Sequence, residues 1–154
     1  MEPKFVTRDE FIVVGAEFVG KSHNGEIPKL WHESFLPRLG EVQHGVNDGV
    51  LYGVCSVVGT GKGECYSYIA SREVSSLDDI PEGMTGIVVP ACKYAVFTHH
   101  GPLETIKDTY NHIYETWLPS SGMEWGDGMD FEYYDARFKG SAEDSEIDLY
   151  VPVK

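Results

Sequence analysis

Two amphipathic helical stripes, repeated at a period of about 75 residues, constrain this chain more than any other feature. In IPKLWHESFLPRL (27–39), Ile27, Trp31, Phe35 and Leu39 recur every fourth residue and define one apolar helix face. Pro28 suits a first helical turn, where its missing N–H costs nothing, and Pro37 implies a kink or an early end. Ile106, Tyr110, Ile113, Tyr114 and Trp117 form the second stripe, in a helix predicted from Leu103 to Leu118 with Pro102 at its start and Pro119 just past its end. Each stripe follows a β-branched, aromatic strand: residues 11–20 in the first case, and 86–99, with a break at Pro90, in the second. Two further strands follow each helix. The first pair (50–58 and 65–74) reads as a hairpin across GTGKGE (59–64), and the second pair as 129–138 and 145–153. The order is strand, helix, strand, strand, twice over. The expected fold is α+β: a duplicated module spanning roughly 1–80 and 81–154, with antiparallel sheets and two main helices, in one domain of residues 1–154.

Composition narrows the function. Twelve basic against 25 acidic residues give a net charge of −13. That balance repels phosphate backbones, so no direct nucleic-acid binding is expected. The same field favours cationic ligands through long-range attraction. Three cysteines, Cys55, Cys65 and Cys92, with no CxxC pair, suggest neither a disulfide framework nor a zinc site. The opening MEPKFVTRDEF has no apolar segment of signal-peptide type, and no run approaches the roughly 18 apolar residues of a membrane span. A cytoplasmic location away from membranes is expected, with no cofactor and no metal.

The residues with chemical potential cluster in MDFEYYDARF (129–138). Strand alternation puts Glu132, Tyr134, Ala136 and Phe138 on one face. A carboxylate buried among aromatic and small residues costs several kcal/mol unless paired, and nothing local on its own face pairs it. Either Glu132 points to water or meets a distant cationic side chain, or it serves a ligand. A carboxylate ringed by aromatics suits a delocalised cation. A desolvated Glu is equally a candidate general acid or base, so residue type alone leaves binding and catalysis both open. GTGKGE lacks the Ser or Thr that a Walker loop carries after its Lys and reads as a hairpin turn. Adjacent His99 and His100 point apart on a strand and read as solvated or capping groups. Cys55, mid-strand, reads as a buried structural thiol. The acidic stretch 124–148 has no EF-hand spacing. The many Tyr and Trp residues hint at a lined groove, since they carry polar handles that core positions rarely need.

IPKLWHESF, VLYGV, YAVFTHHGPLETIKDTYNHIYETWLPSSG, FEYYDARF and IDLYVPV together resemble the GyrI-like family. That family includes the effector-binding domains of AraC-type and MerR-type multidrug-sensing regulators. The resemblance covers nearly the whole chain and is most specific in its last 60 residues. It implies two modules about a pseudo-two-fold axis with a ligand groove between them. It implies that Glu132, in the F-E-x-Y motif, reads the ligand at the groove's base. Tyr134 matches the following aromatic of that motif, and Trp117 the Trp of the W-L-P-x-S-G segment. Trp31, Tyr52, Tyr110 and Tyr150 match as aromatics in elements that border the groove. The implied ligands are lipophilic aromatic compounds, often cationic. With no helix-turn-helix ahead of the domain, the chain resembles the free-standing members. The expected role is small-molecule sensing or sequestration rather than enzymatic. The alternatives are a hydrolase of cyclopropane-bearing genotoxins using Glu132 to activate water, and a gyrase-inhibitor-like interaction protein with gyrase or a regulator as partner.

Overall fold

Only Asp9 and Glu10 separate β1 (Lys4–Arg8) from β2 (Phe11–Val19), and only Pro90 and Ala91 separate β5 (Thr85–Val89) from β6 (Cys92–His100). The remaining strands are β3 (Leu51–Val58), β4 (Cys65–Val74), β7 (Asp130–Tyr134) and β8 (Glu146–Pro152). The computed structural model describes residues 2–20, 25–58 and 65–154. All pairings are antiparallel, and one eight-stranded sheet runs β1-β6-β8-β7-β3-β4-β2-β5. In a flat sheet β1 and β2 would lie about 29 Å apart. Three Cα steps from Arg8 to Phe11 reach at most about 11 Å. The sheet must therefore curl, and it forms a half-barrel. Phe11 of β2 meets Phe131 of β7 with ring centroids 5.4 Å apart, although two strands lie between them.

The concave face buries Phe11, Val13, Tyr52, Val54, Val89, Tyr94, Val96 and Phe131. The convex face carries two helical segments, α1 (26–41) and α2 (103–121). α1 packs Leu30 and Phe35 against Val14, Ala16, Tyr68 and Ala70. α2 packs Ile113 against Ala95, Phe97, Ile147 and Leu149, and all five residues of its expected stripe join that cluster. The convex core is thus split into two halves, one under each helix.

Both helices continue beyond the proline expected to limit them. Each has a widened π turn, Leu30–Phe35 and His112–Trp117, just before Pro37 and Pro119. A proline ring crowds the carbonyl four residues earlier and offers no N–H, so the turn ahead of it opens. The two helices also share residues in sequence: Ser34-Phe35-Leu36-Pro37 with Gly40 corresponds to Thr116-Trp117-Leu118-Pro119 with Gly122. Three of these positions are identical at equal spacing, Leu36, Pro37 and Gly40 against Leu118, Pro119 and Gly122. Gly122 ends α2 at φ 77°, the left-handed geometry of a helix C-cap.

Several expectations change. β1 is a strand that the sequence reading did not separate. The strand expected over 129–138 ends at Tyr134, because the Asp135 carboxylate accepts the Arg137 backbone N–H at 3.0 Å and turns the chain. Arg137 then ties that turn to β8 through Asp148 at 2.7 Å. His99 is buried rather than solvated: its Nε2–H donates to the Pro102 carbonyl at 3.0 Å and its Nδ1 meets Thr109 Oγ1 at 2.6 Å, fixing β6 to α2. Cys55 and Cys65 form a disulfide, contrary to the expectation of unpaired thiols, while Cys92 is free. The odd count said nothing about pairing, which is set here by the antiparallel register of β3 with β4. The GTGKGE turn lies outside the described residues. Among the described residues no helix is long and apolar enough to cross a membrane.

Candidate functional site

The seam between the two halves is the β3–β7 pair, and Glu132 stands on it, facing the helices. Gly53 lies opposite Glu132, Leu51 opposite Tyr134 and Cys55 opposite Asp130. Alternation along β7 sends Phe131 and Tyr133 to the concave face, and Asp130, Glu132 and Tyr134 to the convex one. Protein surrounds Glu132 densely without sealing it from solvent.

Three phenols converge on the carboxylate. Tyr68 and Tyr134 each donate to Oε1 at 2.7 Å, and Tyr110 donates to Oε2 at 2.9 Å. Trp31 Nε1–H in turn donates to the Tyr68 hydroxyl at 2.9 Å. The four aromatics come from α1, β4, α2 and β7, so every layer bordering the seam contributes one. Trp31 stands edge-on to Tyr134 at 5.3 Å and to Phe35 at 5.8 Å, and Tyr110 stacks on Tyr114 at 6.4 Å. The Tyr114 hydroxyl is buried with no hydrogen-bond partner. Tyr134, which alternation places on Glu132's own face, thus supplies the local partner that the carboxylate was expected to lack.

No Lys, Arg or His among the described residues pairs with Glu132. Burial pushes its carboxyl above the ordinary range, and the three phenol hydrogen bonds pull the other way without cancelling the shift. Burial and the adjacent carboxylate push Tyr68, Tyr110 and Tyr134 well above the ordinary tyrosine range, so they remain neutral donors.

Gly53 makes this convergence possible. A Cβ at that position would fall on the Tyr68 hydroxyl and 2.7 Å from Glu132 Oε1. The phenol and the carboxylate occupy the space a side chain would need.

A second buried acid lies two positions away. Asp130 accepts Trp125 Nε1–H at 2.8 Å, and burial raises its pKa from 3.8 to about 8. The folded protein therefore holds this proton where the unfolded chain releases it, and stability falls as pH rises from about 4 to about 8. Asp130→Asn keeps an acceptor for Trp125 and cannot ionise. In urea denaturation, the stability difference of the variant over the parent is expected to grow in favour of the variant across that window.

Of the residues singled out in the sequence, the structure brings Trp31, Tyr110 and Tyr134 to Glu132. Tyr52 and Tyr150 lie on the concave face. Tyr52 is 1% exposed, donates to Glu73 at 3.1 Å and accepts from Arg8 at 2.8 Å. Tyr150 stacks on Phe131 at 4.4 Å. Trp117 packs on Phe97 at 5.0 Å and Phe5 at 6.2 Å, beneath α2. Tyr68, which the sequence placed only in the first hairpin, joins the carboxylate because the β3–β4 register sets it opposite Cys55.

A half-barrel carrying two helices over a carboxylate that no cationic side chain among the described residues pairs fits the class of small-molecule-binding domains. The chain belongs to the Cass2 family of integron-associated effector-binding proteins, whose family model matches residues 4–153. It is 40% identical to the transcriptional regulator BrlR of Pseudomonas aeruginosa over 154 residues, 99% of this chain and 56% of BrlR. The chain thus spans about half the length of that regulator. Its fold is shared with SAV2435 bound to tetraphenylphosphonium, at a TM-score of 0.78 and 17% identity over 100% of this chain and 94% of that one. It is also shared with the C-terminal domain of EcmrR, at a TM-score of 0.75 and 15% identity over 99% and 97% of the two chains.

Proposed function

We propose that this chain binds lipophilic aromatic cations as a sensing or sequestering module, with Glu132 as counter-charge and Trp31, Tyr68, Tyr110 and Tyr134 as aromatic walls. The observation that carries the reading is a half-buried carboxylate with three phenol donors and, among the described residues, no cationic partner. Such a group is poorly compensated in the empty protein. A delocalised cation supplies the missing charge, and ring faces add roughly 0.5–2 kcal/mol per contact. Oε1 already accepts two phenol hydrogen bonds and Oε2 one, which leaves little room for an attacking water and favours charge recognition over water activation. The tetraphenylphosphonium held by SAV2435, a protein of the same fold, is a ligand of this chemical type.

The test is titration with a rhodamine-type cationic dye followed by fluorescence anisotropy, with tetraphenylphosphonium as competitor. Saturable, competed binding is expected. Because burial raises the Glu132 pKa in the empty site, cation binding expels a proton, and affinity should rise with pH until the carboxyl is ionised. Absence of saturable binding, or equal affinity for a neutral dye of the same shape, would sink the reading.

A further inference from the structure

The Cys55–Cys65 disulfide stands beside the Glu132 cluster, on the same face of the sheet. Cys55 is in register with Tyr68 on β4 and with Asp130 on β7, and alternation puts it on Glu132's face, two positions from Gly53. Both sulfur-bearing residues are half-buried and pack against the apolar cluster that contains Tyr68 and Trp31. Their Cα atoms are 5.6 Å apart, an ordinary disulfide spacing. The β3–β4 ladder is irregular at this point, slipping between Cys55 and Val57 and again between Val57 and Val58. Ladder hydrogen bonds are disrupted where register slips, so the crosslink adds a covalent tie at this end of the hairpin beside the remaining Val57–Ser67 and Val58–Cys65 pairs. It acts three residues before Tyr68, the donor that connects Trp31 to Glu132.

We propose that the Cys55–Cys65 disulfide is a thiol-exchange site, addressed by low-molecular-weight thiols, whose redox state sets how firmly the Glu132 cage holds its ligand. The proposal rests on the cation-binding reading of that cage. In the exchange, a thiolate attacks one sulfur, the S–S bond breaks, and the other cysteine leaves as thiolate. A second thiol then displaces the first as a small-molecule disulfide. Two electrons pass to the protein, and Cys55 and Cys65 end as thiols. Reduction releases the slipped end of the hairpin, so Tyr68 loses its fixed position. The hydrogen bond to Oε1 and the one from Trp31 weaken together.

Three measurements on the full chain test this. Thiol titration under denaturing conditions should count one thiol (Cys92) before reduction and three after. Three thiols in protein prepared without reductant would overturn the proposal. Hydrogen exchange read on peptides from β4 should speed up on reduction, with or without ligand, and unchanged exchange would overturn it. Reduction by glutathione should raise the Kd for tetraphenylphosphonium at least about fivefold. Cys55→Ser/Cys65→Ser should match the reduced protein and ignore the reductant, whereas Cys92→Ser should respond as the parent does. Equal Kd in both redox states would overturn the coupling. A chain that binds no cation in either state removes the cation reading, and β4 exchange still decides whether the disulfide governs the cage.

Discussion

Glu132→Gln is expected to lower affinity for tetraphenylphosphonium roughly a hundredfold while leaving the fold intact. A cation about 5 Å from the carboxylate, at the effective dielectric of a partly buried site, gains about 3 kcal/mol from the charge, and that energy corresponds to the stated factor. The substitution keeps shape and most hydrogen bonds. The amide oxygen can accept from Tyr68 and Tyr134, while the amide nitrogen donates to the Tyr110 hydroxyl, which turns to accept. The empty variant also no longer desolvates a charge. Since the Glu132 pKa is raised in the fold, the parent loses stability as pH climbs through it, and the Gln form does not. Thermal melts at high pH should therefore show the variant at least as stable as the parent. Unchanged affinity would mean that the site reads shape alone.

Gly53→Ala is expected to damage stability and binding together. The added methyl occupies the position of the Tyr68 hydroxyl and presses on Glu132 Oε1. Overpacking of this kind costs about 1–3 kcal/mol, and here the displaced atoms are the ones that organise the site. Urea denaturation should show the loss, and cation titration should show weaker binding. Tyr68→Phe removes the clashing oxygen, so the two substitutions combined should cost less than their sum. Strict additivity would show that Gly53 and Tyr68 do not compete for the same space.

Periodicity within one element made much of this legible. The stripes placed Trp31 and Tyr110 on inward helix faces, and alternation put Tyr134 beside Glu132. What one element cannot express is its register with another. Tyr68 reaches the carboxylate because it is paired with Cys55, and Cys55 follows Gly53 by two residues. Tyr52 pairs with Tyr133, and Tyr150 with Phe131, so both face the concave side. Parity along a strand fixes which side chains agree, while the pairing of distant strands fixes which face they share. The role of Gly53 was hidden for the same reason: a missing side chain matters only once its neighbours across the sheet are known. The Cys55–Cys65 pairing likewise depends on a ladder whose slip no local pattern announces.

The strands at the two sheet edges are exchanged. β1, which leads the first half, pairs with β6 of the second, and β5, which leads the second half, pairs with β2 of the first. Neither half owns its own border. A polypeptide holding one half alone could complete its sheet only by lending its leading strand to another copy and borrowing one back. The two halves are thus joined less like tandem beads than like the partners of a strand-exchanged dimer written into one chain. Cutting the linker between them should leave a complex held by reciprocal pairing.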